Sequence, residues 1–180
     1  DRELVLNPRN TDAAIRKGIA LVSLEKYKIA ISIFRKSLET DPKNIRAWCY
    51  LGHSLAALEQ YEEAVNAYDR VLETDRQCAR AYFGKGMALS RLGKPLEAVI
   101  AYDMVLEIEP DNAKALYFKG VALAQKERYD EAIVAFERAL AQDNKNSSGY
   151  YYLGIAYAGR ERFSDAIRAF ESALELDPNN

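Results

Sequence analysis

The chain has 180 residues, of which 49% are hydrophobic, so it carries enough apolar side chain to bury a core. Its net charge of -2 gives no general attraction to nucleic acid or to an anionic membrane. No apolar run approaches the roughly 18 residues of a membrane span, and Cys49 and Cys78 match no metal or redox spacing. The composition therefore predicts a soluble protein of a reducing compartment such as the cytoplasm.

A period of 34 residues runs along the chain. Its first marker is a glycine that recurs as Gly18, Gly52, Gly86, Gly120 and Gly154. An alanine follows each glycine at a constant distance, as Ala30, Ala64, Ala98, Ala132 and Ala166. An aromatic residue comes four positions later, as Phe34, Tyr68, Tyr102, Phe136 and Phe170. Coincidences that stay in register across the whole chain indicate a repeat protein.

The period divides the chain into an opening segment and five repeats. In residues 1–10, Leu4 and Pro8 fall on a leucine and a proline column of the repeats, so we interpret this segment as the remnant of a preceding repeat's second helix. We expect an excised piece of a longer solenoid, with one or two helical turns at 1–6. The repeats are 11–44, 45–78, 79–112, 113–146 and 147–180.

Each repeat is predicted to form two helices. In 113–146, apolar residues follow helical spacing on both sides of a break at Glu127. Asn44 and Asn112 are expected to cap first helices, and Pro95 is expected in the first turn of a second helix. The junction at 75–78 has neither a proline nor a good cap and is the weakest hinge candidate. Prolines are expected to end three second helices, at Pro42, Pro110 and Pro178.

These residues together resemble the tetratricopeptide repeat (TPR). The matching residues include Trp48, Leu51, Gly52, Leu55, Ala64 and Tyr68, and then Tyr150, Leu153, Gly154, Tyr157, Ala166, Phe170, Ala173 and Pro178. The resemblance implies an all-α fold, a right-handed α-solenoid of stacked antiparallel helix hairpins known as the TPR superhelix. It also implies that the first helices line a concave groove and that the second helices form the convex outside.

Family geometry selects the residues that face this groove. One column begins at Ile15 and the next at Ile19, and the second is apolar where the family usually has a polar residue. An apolar groove floor of this extent predicts a binding site. The predicted groove residues are Arg46, Cys49, His53, Arg80, Phe83, Met87, Lys114, Tyr117, Val121, Tyr151 and Ile155.

The first helices and the rest of the chain differ in charge. The first fourteen residues of the five repeats contain ten basic side chains and a single acid, Asp12, so the layer expected to line the groove is basic and the remainder is acidic. Three lysines of this layer, Lys17, Lys85 and Lys119, are expected to extend past the inter-helix contact toward solvent. Arg46, Arg80 and Lys114 are expected to form a basic ladder across three adjacent repeats.

No catalytic constellation is found in the sequence. His53 is the only histidine, and Cys49 lies one helical turn before it, but two ligands make an incomplete metal site. The glycines are isolated and helical, so they form no phosphate-binding loop. The sequence predicts a chain that is not an enzyme and that holds neither a cofactor nor a metal.

The leading hypothesis is an interaction scaffold whose groove binds a protein partner, through a peptide or helix with apolar anchors and nearby acids. A carboxylate clamp like that of the chaperone-binding TPR proteins is disfavoured, because its lysine and asparagine positions hold Cys49 and His53 or Phe83 and Met87. One alternative is a docking arm of a larger enzyme or signalling protein, with catalysis elsewhere. Another is self-association through exposed repeat ends. Nucleic-acid binding is disfavoured by the acidic outer layer.

Overall fold

The computed structural model describes residues 8–178, and this range is built from α-helices without a strand. Its ten helices are α1 (Pro8–Ser23), α2 (Tyr27–Thr40), α3 (Ile45–Ala57), α4 (Tyr61–Thr74), α5 (Ala79–Arg91), α6 (Pro95–Ile108), α7 (Ala113–Ala124), α8 (Tyr129–Gln142), α9 (Ser147–Gly159) and α10 (Phe163–Leu176). The expectation of a helical turn at 1–6 concerns residues outside this range.

The chain forms two compact units. Unit 1 spans Asp1–Leu92 and contains α1 to α5, and unit 2 spans Gly93–Asn180 and contains α6 to α10. In unit 1, each helix from α1 to α4 packs against the next one in the chain. The same holds in unit 2 from α6 to α9. The predicted all-helical architecture of successive helix hairpins is therefore confirmed.

Asparagine caps start three of the first helices. The side-chain oxygen of Asn44 accepts a hydrogen bond from the Ala47 amide at 3.0 Å, and that of Asn112 accepts from the Ala115 amide at 2.9 Å. Both predicted caps are confirmed. A third cap lies at Asn146, which sequence reasoning overlooked. At the junction predicted to be weak, α5 begins after Cys78 without a side-chain cap.

Prolines lie close to the ends of three second helices. Helices α2, α6 and α10 end at Thr40, Ile108 and Leu176, in each case two residues before a proline. Helices α4 and α8 end at the same position of the period without a proline, so the proline fits this boundary but is not needed to set it. Pro95 is the first residue of α6, where its missing amide hydrogen costs no hydrogen bond.

Close approach of the paired helices depends on glycine. A Cβ atom added to Gly52 would lie 2.9 Å from the Tyr68 ring, and one added to Gly120 would lie 2.7 Å from the Phe136 ring. Phe136 is fully buried, and Tyr68 is buried as well. The recurring glycine and the recurring aromatic residue therefore form the same contact, in which a ring of the second helix lies on the backbone of the first helix.

The turn inside each hairpin contains one residue with left-handed backbone geometry. Its φ is 56° at Glu25, 60° at Glu59, 58° at Glu127 and 59° at Glu161, and it is 72° at Gly93. These five residues occupy the same position in the 34-residue period. Side chains disfavour this conformation by roughly 1–2 kcal/mol, so only Gly93 fits it without strain.

Replacing Glu59 by glycine is therefore expected to stabilise unit 1. Relief of the left-handed strain outweighs the greater flexibility of glycine in the unfolded chain, with a net gain of about 0.5–1 kcal/mol in the free energy of unfolding. Urea denaturation followed by circular dichroism measures it. Glu62→Gly, at an exposed position inside α4, is the control and should lower stability. A loss of stability in Glu59→Gly would contradict the strain.

Candidate functional site

The predicted groove residues of unit 1 differ in how far they are exposed to solvent. His53 is exposed on α3, and Phe83 and Met87 are half-buried on α5. Cys49, which was expected on the groove floor, has only 7% of its surface exposed and belongs to the hydrophobic core of unit 1. The side chain of Cys49 therefore offers almost no surface to a ligand.

The two cysteines of the chain meet in unit 1, although their spacing in the sequence gave no sign of it. Burial, followed by the neighbouring Cys78 thiol, raises the pKa of the Cys49 thiol to about 12. Both cysteines are free. Because the thiolate is the reactive form, Cys49 stays a neutral thiol and packs as a small apolar side chain.

His53 lies between an aromatic ring and a guanidinium. The Tyr27 ring meets it edge to face, with the ring centroids 6.3 Å apart. Partial burial, followed by the charge of Arg80, lowers the pKa of the imidazole. At neutral pH His53 is therefore a neutral, partly apolar surface residue. Arg80 itself lies over the Tyr50 ring, at 4.8 Å from its centroid, which is a cation–π arrangement.

Arg46 has an acidic neighbour within unit 1. Its Nη1 lies 3.8 Å from Asp12 Oδ1, and the other carboxylate oxygen of Asp12 accepts a hydrogen bond from Arg16 at 2.7 Å. The Arg16 hydrogen bond is the main cause that lowers the Asp12 pKa. Arg46 is thus partly neutralised, and Arg80 is the basic residue of unit 1 that is better placed to meet an external acid.

Unit 2 brings its predicted groove residues onto matching faces of two first helices. On α7, Lys114, Tyr117 and Val121 follow one another at helical spacing. On α9, Tyr151 and Ile155 have the same spacing as Tyr117 and Val121. Lys114 is exposed, Tyr151 is 43% exposed, and the other three are half-buried. Neither helix contains an acidic residue.

An aromatic cluster supports this surface from below. Tyr117 meets Tyr152 edge to face at 6.0 Å, and Tyr151 meets Tyr152 at 5.5 Å. The Tyr152 ring in turn stacks on Phe136 at 6.3 Å. Burial, followed by Tyr152, raises the pKa of Tyr117, so its phenol stays neutral. Half-buried Tyr117 and exposed Tyr151 thus both lie against Tyr152, whose ring is itself stacked on Phe136.

Ion pairs with the second helices reduce the basic charge of the first helices. Lys85 and Lys119, which were expected to extend into solvent, pair instead with an aspartate of the preceding second helix. Arg160 of the same layer also pairs with a second helix. The pairs are Lys85 Nζ–Asp69 Oδ1 at 2.6 Å, Lys119 Nζ–Asp103 Oδ1 at 2.5 Å and Arg160 Nε–Asp130 Oδ1 at 2.8 Å. The layer is therefore less positive than its composition implied.

Comparison with known families identifies the repeat. The sequence matches the model of the cytochrome c-type biogenesis protein H TPR domain over residues 23–150, which is more than half of the chain. The chain belongs to the tetratricopeptide repeat family. A second TPR model, described as tetratricopeptide repeat, matches residues 147–180. No curated protein sequence matches this TPR chain.

Solved TPR structures share the fold. A crystal structure of MamA protein has a TM-score of 0.87 and 23% identity, and the match covers 93% of this chain and 92% of that chain. MamA 41-end from Desulfovibrio magneticus RS-1 has a TM-score of 0.88 and 20% identity, covering 94% and 96%. YrrB, described as a TPR protein with an unusual peptide-binding site, has a TM-score of 0.86 and 22% identity, covering 99% and 92%.

The second helices of this TPR chain also border clefts that sequence reasoning missed. In unit 1, a cleft of about 410 Å³ lies between α2 and α4 over Trp48 and Leu55, and an ion pair of Arg35 with Glu63 lines it. In unit 2, a cleft of about 220 Å³ is lined by residues of α9 and α10, among them Tyr157 at the position that Leu55 holds in unit 1. Leucine stands at this position in the other four repeats, as Leu21, Leu55, Leu89 and Leu123.

Two further properties concern residues 8–178. Within that range, no three or more histidine, cysteine or acidic side chains are grouped so that they could hold a metal ion. None of the helices described there combines the length and the apolar character that crossing a membrane requires.

Proposed function

We propose that this TPR chain is a non-catalytic scaffold whose first helices bind a peptide or helix of a partner protein. The bound segment carries apolar anchors with acidic residues beside them. One observation carries the proposal: the surface of α7 and α9 exposes tyrosine and aliphatic side chains next to Lys114 and contains no acid. YrrB, which has the same fold, is described as having a peptide-binding site.

The apolar part of this surface supplies the affinity. Tyr117 and Tyr151 offer large, rigid side chains that lose little conformational entropy on binding. Val121 and Ile155 continue the surface by one helical turn along each helix. An anchor side chain such as leucine would lie against these residues and bury their exposed edges.

The basic part selects the charge of the partner. Lys114 lies one turn before Tyr117 on the same face, so an acid that flanks the anchor meets an ammonium group. In unit 1, Arg80 lies near Phe83 and Met87 in the same way. We also propose a cytoplasmic location, because both cysteines are free thiols and such thiols persist in reducing compartments.

Charge reversal at Lys114 tests the proposal for unit 2. The probes are three labelled synthetic peptides of equal length. The first contains leucine and aspartate, the second leucine and lysine, and the third leucine and serine. Fluorescence anisotropy should show that the leucine–aspartate peptide binds tightest. Lys114→Glu should weaken its binding about tenfold and flatten its salt dependence, because one charge contact is lost. Binding of the leucine–serine peptide should change little.

The matched control is Arg168→Glu, which makes the same charge change on an exposed position of the second helix α10. It should leave the affinity for all three peptides almost unchanged. Equal losses in both variants would show that only net charge matters and would contradict a site on α7 and α9. The same comparison with Arg80→Glu tests unit 1.

A further inference from the structure

Arg80 is an exposed basic residue of unit 1 that pairs with no acid in the described part of the chain. It is the second residue of α5. Two other basic residues of the same layer have acidic partners, since Arg46 lies 3.8 Å from Asp12 and Lys85 lies 2.6 Å from Asp69. The guanidinium of Arg80 is therefore the group of this unit that is open to an acid of a partner.

The position of Arg80 is fixed by a ring of α3, and this places it beside His53. Its guanidinium carbon lies 4.8 Å from the centroid of the Tyr50 ring. His53 follows Tyr50 by three residues on α3, so the two side chains are neighbours on the helix surface. Accordingly, the charge of Arg80 is the second cause, after partial burial, that lowers the pKa of the His53 imidazole.

These two groups can hold one carboxylate between them. Both side chains are exposed, so a ligand reaches them from solvent. A carboxylate accepts hydrogen bonds from the guanidinium of Arg80 and from an imidazole N–H of His53. Phe83 and Met87 follow Arg80 by about one and two turns on α5 and are half-buried, so they offer an apolar contact next to the charged one.

We propose that His53 and Arg80 together bind one carboxylate of the partner segment, and that His53 takes up a proton as this carboxylate binds. The inference rests on the proposed function, because it assigns the charged contact of the peptide site in unit 1. Without a ligand, the imidazole faces only a positive guanidinium, which disfavours a second positive charge. A bound carboxylate offsets this repulsion and attracts the imidazolium, so it raises the pKa of His53.

The other groups that surround His53 carry no charge at neutral pH. From α2, the Tyr27 ring meets the imidazole edge to face. At the equivalent position of the period, α1 carries Ile19, which does not titrate. Burial raises the pKa of the Cys49 thiol, one turn earlier on α3, and that of the Tyr68 phenol, which reaches α3 from α4 at Gly52. The guanidinium therefore sets the charge around the imidazole, and an acid of a ligand can reverse its effect.

Unit 2 provides an internal control for the proposal. The positions equivalent to His53 and Arg80 hold Val121 on α7 and Ser148 on α9. Neither side chain changes its charge near neutral pH. Acid recognition by Lys114 in unit 2 should therefore be independent of pH between about 5.5 and 7.5, which is the range in which an imidazole titrates.

Nuclear magnetic resonance of the full 180-residue chain tests the proposal, since His53 is its only histidine and its ring signals need no further assignment. A saturating amount of the leucine–aspartate peptide should raise the pKa of His53, and the leucine–serine peptide should leave it unchanged. Because binding takes up a proton, the affinity measured at the amides of α5 should increase about three- to tenfold as the pH falls from about 7.5 to about 5.5. Above pH ~5 the aspartate of the peptide stays ionised.

Three variants separate this contact from a general effect of charge. His53→Gln should remove the pH dependence at α5 and change the affinity at pH ~7.5 by no more than about twofold. Arg80→Gln should raise the pKa of His53 in the free chain and abolish its response to the peptide. Arg76→Gln, which removes an exposed charge four residues before Arg80, should do neither.

Two results would overturn the proposal, and they differ in what they say about the proposed function. Peptide-induced shifts on α5 with an unchanged pKa of His53 would overturn this inference alone and leave the peptide site of unit 1 standing. A leucine–aspartate peptide that shifts no amide of α5 would overturn both for unit 1. A pH dependence of equal size at the amides of α7 would also contradict the assignment to His53.

Discussion

Phe136→Ala is expected to lower the free energy of unfolding of unit 2 by about 3–5 kcal/mol, the largest effect of any single change considered. Phe136 is fully buried, its ring lies on the backbone of α7 at Gly120, and it stacks on Tyr152 of α9. Removal of the ring would open a cavity where two successive hairpins join. The neighbouring aromatic rings are held by their own contacts and cannot fill it.

Urea denaturation followed by circular dichroism measures this loss. The control is Phe170→Ala, which removes the equivalent ring from the half-buried position on α10. That variant should lose about half as much, because part of the Phe170 ring is already in solvent. Equal losses in the two variants would mean that the packing of α9 against Phe136 adds nothing to the free energy of unfolding that this ring contributes.

Gly84→Ala is expected to destabilise unit 1 by about 1–3 kcal/mol, although alanine favours a helix more than glycine does. A Cβ at residue 84 would overlap Tyr68 Cζ and lie 2.6 Å from the Tyr68 hydroxyl oxygen. Tyr68 is buried, and its ring also lies close to Gly52, so it cannot turn toward α3 to make room. Elsewhere in unit 1 the same position holds Tyr50, which stacks on Phe34 at 6.2 Å.

A double-mutant cycle with Tyr68→Leu tests this explanation. The two changes together should cost less than the sum of the single losses, because the smaller leucine leaves room for the new methyl group. Gly149→Ala is the control, since the nearest atom to the added methyl group would be the end of the flexible Leu140 side chain, and Asn146 Cγ would lie farther away, at 3.3 Å. A Gly84→Ala variant that is more stable than the original chain would contradict the prediction, because Tyr68 would then make room for the methyl group without loss.

The sequence was sufficient to predict features that depend on one helix or one hairpin. Periodic glycines and aromatics predicted the hairpin contact, and Asn44, Asn112 and Pro95 predicted helix starts that the structure confirms. These signals are local: a cap, a fixed φ angle or a missing side chain acts within a few residues.

Features that depend on contacts outside a single hairpin were missed. The ion pair of Lys85 with Asp69 joins residues of two repeats, and the contact of Cys49 with Cys78 joins the two ends of one repeat. Neither can be read from spacing along one helix. The left-handed Glu59 was also missed, because glutamate carries no signal for that conformation and the closed turn imposes it.

The central claim is that the partner binds on the first helices, and nuclear magnetic resonance tests it most directly. The leucine–aspartate peptide would be titrated into isotope-labelled chain, and shift changes would be followed at every assigned amide. If the partner binds on the first helices, the largest changes lie at Tyr117, Val121, Tyr151 and Ile155. Changes confined to the second helices, around Val134 and Ile167, would contradict it.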